Sequence, residues 1–230
     1  MTPILENIMF RIAVALAFTS SAIGAQSLAD APTVLDAAVG QGSGVTSLSA
    51  MASRAIHIGS SGRVTVGLGA RLTVLAVRGA RMSAADPQGF APPPDSLVVD
   101  GNGLTLNIGI NAGFKINSRL HAGVNLDVFG FGGGPGGVSS YHRTPTSTAE
   151  PTSSRLASPN LFSGGSGDRG SLNSEFFLAR TINDRYTVRG GLSHQLIEFA
   201  VSVENIESSA SRFRRFANLA FIGVRVSTGQ

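Results

Sequence analysis

Ser193, His194 and Glu198 form the one close grouping here with the residue types of a nucleophile, a base and an orienting acid. Acyl-transfer or hydrolytic chemistry needs those side chains within hydrogen-bond reach of one another. Successive residues on a strand point to opposite faces, so on a strand Ser193 and His194 cannot pair directly. Asp127 with Glu175 is a conceivable acid/base pair, but a structural ion-pair role with Lys115 or Arg71 is the favoured reading of both. His57, His121, His142 and His194 show no metal-ligand spacing. The run Gly132-Gly133-Gly134-Pro135-Gly136-Gly137 has no following Lys-Ser/Thr and no helix signal, so it reads as a flexible linker and not a phosphate loop. The expectation is a protein without catalytic residues, metal or cofactor, and not an enzyme.

One basic cluster stands out, Arg212-Phe213-Arg214-Arg215-Phe216. Guanidinium groups bind phosphates bidentately, which makes Arg212, Arg214 and Arg215 candidate contacts for lipopolysaccharide. A polar rim with stems lying along apolar surface is the alternative reading.

The elements that would position these residues are strands. From Leu104 to Ile116 every even position is apolar and every odd position is polar or Gly, a period of two over the whole run. After Asn117-Ser118-Arg119 the alternation resumes through Leu120, Ala122, Val124, Leu126 and Val128. Val64–Val74 alternates in the same way, the stretches around Leu172–Ile182 and Tyr186–Leu196 do so less regularly, and a last strand lies near Phe216–Val226. A short pattern occurs twice, Ile116-Asn117-Ser118-Arg119-Leu120 and Ile182-Asn183-Asp184-Arg185-Tyr186. Asn-Ser and Asn-Asp tolerate left-handed backbone angles and bond locally to the backbone, so both mark tight hairpin turns. A third short turn falls at 59–62, after a strand over Val45–Ile58. Long Gly/Ser/Pro-rich connections are expected at about 79–101, 132–169 and 201–211, the second largely flexible. Short turns then lie at one end and long loops at the other. Parity requires an additional first strand, for which Thr33–Val39 is the candidate, although Val34-Leu35-Asp36-Ala37-Ala38 reads equally as a short helix. The count becomes eight.

Composition narrows the class. Charged residues make up 14% of the 230 residues, against about 25% in soluble domains. Such a deficit suits a large surface facing lipid. Cys is absent, which removes disulfides and thiolate metal sites. The net charge of +4 is spread out and lacks the dense basic stripe of a nucleic-acid binder. Near the N-terminus, Arg11 precedes a short apolar run, Ile12–Phe18, and Ile23-Gly24-Ala25 is a plausible cleavage site. The run is too short for a spanning helix of about 20 residues, so residues 1–25 read as a secretory signal peptide and 26–230 as one barrel domain.

Alternation alone does not say which face is inside. A soluble barrel turns its apolar face inward and a membrane barrel turns it outward. Here the polar face consists of Gly, Asn, Thr and Ser with scattered charges, a set that suits a crowded lumen better than a soluble exterior. Arg63, Arg71, Lys115, Asp127, Glu175, Arg189 and Arg225 are therefore expected to form a lumenal polar network, because buried charges must be paired or hydrogen-bonded.

Leu106–Phe131, Leu172-Asn173-Ser174-Glu175-Phe176 and Arg212–Phe216 resemble the small outer-membrane β-barrel proteins of Bacteroidota, similar in plan to the OmpA/OmpX-type barrels. The resemblance implies an all-β, antiparallel up-and-down transmembrane barrel in the outer membrane, exported through the secretory pathway. It also implies outer-membrane lipid, lipopolysaccharide and the barrel assembly machinery as partners. Two departures are visible. The chain has no Trp and two Tyr, so Phe must supply any aromatic girdle, and its last residues are Val226-Ser227-Thr228-Gly229-Gln230, without the terminal aromatic of many such proteins. The expected role is non-enzymatic, in envelope structure or surface interaction, from a monomer that binds no nucleic acid. The rival readings are a narrow channel or small-molecule carrier, a lipid-modifying enzyme, and a soluble periplasmic ligand-binding barrel.

Overall fold

The computed structural model describes residues 28–85, 96–142, 149–165, 167–201 and 211–228. The expected signal peptide lies outside the described residues. Ten strands follow in chain order: β1 (Thr33–Gly42), β2 (Val45–Ile58), β3 (Val64–Ala84), β4 (Ser96–Lys115), β5 (Leu120–His142), β6 (Ala149–Leu156), β7 (Asn160–Leu161), β8 (Leu172–Thr181), β9 (Tyr186–Val201) and β10 (Arg212–Ser227).

Eight of them close a ring. Antiparallel pairing runs β1–β2–β3–β4–β5–β8–β9–β10 and returns to β1, where Val34–Gln41 pair with Ser227–Ala220. The segment at Thr33–Val39, left between strand and helix by its sequence, is a strand extending to Gly42. β1 and β2 join through Ser43 and Gly44 at φ 53° and 71°, the positive-φ pair that matches hairpin twist. The repeated five-residue motif forms two identical turns. Asn117 Oδ1 accepts from the N–H of Arg119 and Leu120, both at 2.9 Å, and Asn183 Oδ1 from those of Arg185 and Tyr186 at 3.0 and 2.8 Å. None of these turn residues has a positive φ, so the Asn works through its side-chain acceptor and not through left-handed backbone.

Toward the opposite end, the loop end, the ring narrows. The β1–β2 hairpin stops at its turn, and above it β10 pairs directly with β3 through Phe213↔Ala84 and Arg214↔Ser83. β8 begins only at Leu172, and above it β6 bridges β5 and β9, pairing Gly137–His142 on one side and Phe199–Val201 on the other. Pairing therefore closes a second, six-membered ring of β3, β4, β5, β6, β9 and β10 stacked on the first.

Two expected loops are corrected by this arrangement. The connection placed at 79–101 is strand on both sides, since β3 runs to Ala84 and β4 starts at Ser96. The stretch at 132–169 contains the end of β5, all of β6 and β7. Its glycine run is strand, with Gly137 opposite Gly101 and Gly132 opposite Thr105. A Cβ on Gly101 would sit 3.1 Å from the Gly137 Cα. Glycine here permits close strand approach, which composition alone cannot distinguish from flexibility. The connection expected at 201–211 lies between β9 and β10, and 202–210 are outside the described residues.

Candidate functional site

Inside and outside change character along single strands. In the lower part of β3, Arg71 and Thr73 point inward and are buried, while Leu68, Leu72 and Val74 point outward at 44–51% exposure. Past Val77 a bulge at Arg78–Gly79, with Gly79 at φ 56°, shifts the register. Beyond it Ala80, Met82 and Ala84 are buried inside, and Arg78, Arg81 and Ser83 face out. β4 follows the same course: Leu97 and Val99 are buried near the loop end, and Thr105 and Asn107 below. Its outward residues change from Asp100 and Asn102 to Leu104, Leu106, Ile108 and Ile110. The eight-membered ring thus has an apolar exterior and polar lumen, and the six-membered ring has the reverse.

The polar lumen contains three guanidiniums and three carboxylates. Arg189 grips Asp36 with Nε at 2.6 Å and Nη2 at 2.7 Å, and reaches Glu175 with Nη1 at 2.9 Å. Arg71 donates to Glu175 at 3.1 Å and lies 3.6 Å from Asp127, while Arg225 pairs with Asp36 at 2.8 Å. Amides complete the carboxylates. Asn125 donates to Glu175 at 2.8 Å, Asn173 to Glu175 at 3.3 Å and Asn107 to Asp127 at 2.8 Å. Arg189 also lies 4.6 Å over the Phe221 ring, and Arg225 4.5 Å over Phe177. Seven strands contribute (β1, β3, β4, β5, β8, β9 and β10), so the network ties the ring together across its interior. Formal charges balance, as burial demands.

Five of the seven expected lumenal residues meet here: Arg71, Asp127, Glu175, Arg189 and Arg225. Arg63 and Lys115 do not. Both are exposed at the turn end, Arg63 just before β3 and Lys115 as the last residue of β4. Lys115 has lumenal parity, but at the strand terminus its side chain reaches solvent. Asp36 was missed, although it anchors two arginines. Its signal was available in Val34–Ala38: read as a strand, that segment places Asp36 on the inward face.

Above this network the interior is mainly apolar, with one buried pair of hydroxyls, Ser139 and Ser154, 2.6 Å apart. Leu97, Val99, Ile197, Phe199, Phe213 and Leu219 are each 0% exposed and belong to one apolar cluster. Tyr141 packs edge-on against Phe213 with centroids 5.7 Å apart. Below, two cavities of about 10 Å³ border Asp127, each roomy enough for about one water.

The grouping of Ser193, His194 and Glu198 is taken apart by the fold. Ser193 points inward and donates to Asn173 at 2.7 Å, whereas His194 is outside, stacked on Phe216 and 2.7 Å from Asn218. Glu198 accepts from the Gly170 N–H at 2.8 Å and pairs with Arg212. Asp127 and Glu175 are likewise both held by Arg71 and neighbouring amides. Of the basic cluster, Arg212 pairs with Glu198, and Arg214 and Arg215 are half-buried on β10 with opposite strand parity.

No protein-family profile and no curated protein matches the sequence. Among solved structures the chain is similar to neisserial surface protein A at 9% identity and TM-score 0.40, covering 85% of this chain and 94% of that one. It is similar to the Yersinia pestis outer membrane protein Ail at 9% and 0.36, covering 85% and 99%. A major outer membrane protein from Thermus thermophilus is similar at 11% and 0.38, covering 85% and 98%.

Proposed function

We propose that this chain is a monomeric outer-membrane β-barrel with a non-enzymatic role, in envelope structure or in surface interaction through its loop-end extension. The exposed aliphatic belt supports a bilayer-spanning ring: Leu106, Ile108, Leu178 and Ile222 are 52–59% exposed. β3, β4 and β5 have 21, 20 and 23 residues, against about 9–11 needed to span. Their loop-end halves therefore project beyond the lipid, where their polar exterior suits water. Short turns face the periplasm and the extension faces outward in this orientation. The lower ring closes on its own strands, which removes its strand edges as a route to pairing with a second chain.

The observation that carries the non-channel reading is the double closure of the interior, an ion network below and a mainly apolar core above. A narrow channel is disfavoured by the ion network and the apolar cluster standing in series across the interior. A soluble ligand-binding barrel is disfavoured by the outward aliphatic belt, and a lipid-modifying enzyme by Ser193 and His194 lying on opposite faces. The test is conductance of the purified chain in planar bilayers. Electrical silence is expected, and steady unitary currents would overturn the reading.

Lipopolysaccharide phosphate at the loop-end rim stays part of the proposal. Charge reversal by Arg214→Glu with Arg215→Glu is expected to weaken lipopolysaccharide binding, and unchanged binding would remove the idea.

A further inference from the structure

The turn end carries a second charged feature that the ion network does not use. Arg54, Arg63, Lys115, Arg119, Arg180 and Arg185 are all exposed there. They stand on β2, before β3, on β4, in the 117–119 turn, on β8 and in the 183–185 turn, so they circle the barrel mouth. The exposed carboxylates at this end, among the described residues, are Asp30 and Asp184. None of the six cations belongs to the ion pairs formed among the described residues. Arg54 is held by Thr33 Oγ1 and the Ala29 carbonyl, and the Arg185 guanidinium lies 5.8 Å from the Tyr186 ring centroid.

Next to this ring the exposed surface is apolar. Phe114, Ile116, Ile182 and Tyr186 are 42–60% exposed. A crown of cations that form no ion pair among the described residues, contiguous with an apolar band, fits an amphiphile with an anionic head, and neither a free anion nor a soluble acidic peptide would use both parts. Arginine stems can lie along the band while the guanidiniums reach phosphate oxygens. We infer that the turn-end crown is a binding surface for anionic phospholipid headgroups of the leaflet it faces. This inference rests on the proposed bilayer-spanning reading of the belt.

The test uses the full chain inserted in nanodiscs of phosphatidylcholine with a minority of phosphatidylglycerol, and native mass spectrometry of the lipids that stay bound. Phosphatidylglycerol is expected to be enriched over the bulk by about tenfold, since each cation near a charged bilayer surface contributes noticeably to attraction. Raising the salt should reduce the enrichment. Replacing Arg54, Arg119, Arg180 and Arg185 together by Gln should return bound lipid to the bulk ratio. Should that variant fail to fold, Arg119→Gln with Arg185→Gln alters only exposed turn side chains, and a drop of about threefold is expected from it. Enrichment that survives in the folded variant, or none in the unaltered chain, overturns this surface while leaving the barrel reading intact. Failure of the unaltered chain to insert overturns both.

Discussion

The two stacked rings use one set of strands for opposite purposes. In the lower ring Arg71, Glu175 and Arg189 fill the interior and Leu72, Leu106 and Phe176 face out. In the upper ring Leu97, Phe199 and Phe213 fill the interior and Arg78, Arg81 and Asp100 face out. Inward residues of β9 pass from Arg189, Ser193 and Gln195 to Ile197, Phe199 and Val201 without a break in register with β10. The same strand parity therefore carries polar residues inward in one ring and apolar residues inward in the other, as the proposed bilayer placement of the lower ring requires. A ring in lipid needs its polar groups satisfied inside, whereas a ring in water gains by burying apolar area.

This contrast can be broken from either side. The largest expected effect is Glu175→Ala, which strips Arg71 and Arg189 of their shared carboxylate. A loss of about 3–5 kcal/mol is expected, measured by urea titration of the inserted protein. Equal stability would mean the network contributes nothing net. Phe213→Ala should cost about 3–5 kcal/mol of local stability in the upper ring. Hydrogen exchange should accelerate there while the Arg71 and Glu175 strands below stay protected. Uniform acceleration would show one cooperative unit in place of two. On the exterior, Leu106→Arg should cost about 2–4 kcal/mol if that face meets lipid, and Val138→Arg, at a position 74% exposed in the upper ring, about 0–1. Similar costs would erase the distinction between belt and extension. The smallest effect is Ser193→Ala, which removes one hydrogen bond to Asn173 and should cost about 1 kcal/mol.

Much of the lower ring was legible in the sequence. The thirteen-residue alternation from Leu104 to Ile116, the twin Asn turns and the parity argument give eight strands and the correct inside face. The upper ring was hidden for two physical reasons. The bulge at Arg78–Gly79 interrupts the period of two, so Ala80, Met82 and Ala84 no longer align with Val74. The inversion of faces also makes Leu97 and Val99 look like a short fragment among turn-forming residues. Gly132–Gly137 was read as flexible because composition reports the freedom of an isolated glycine, not the close approach it permits to Gly101 in the partner strand. In the network, Asp36 escaped notice because its segment carried a helix alternative. Lys115 and Arg63 were included on parity although strand ends reach solvent.

The central claim is that the outward aliphatic face of the lower ring contacts lipid. The chain has no Cys, so Leu106→Cys labelled with a bimane fluorophore reports one site alone. In vesicles with brominated lipids, strong quenching at this position is expected, with little quenching at a matching Asp100→Cys label. Leu106 fluorescence quenched by aqueous iodide and untouched by brominated lipid would contradict the account.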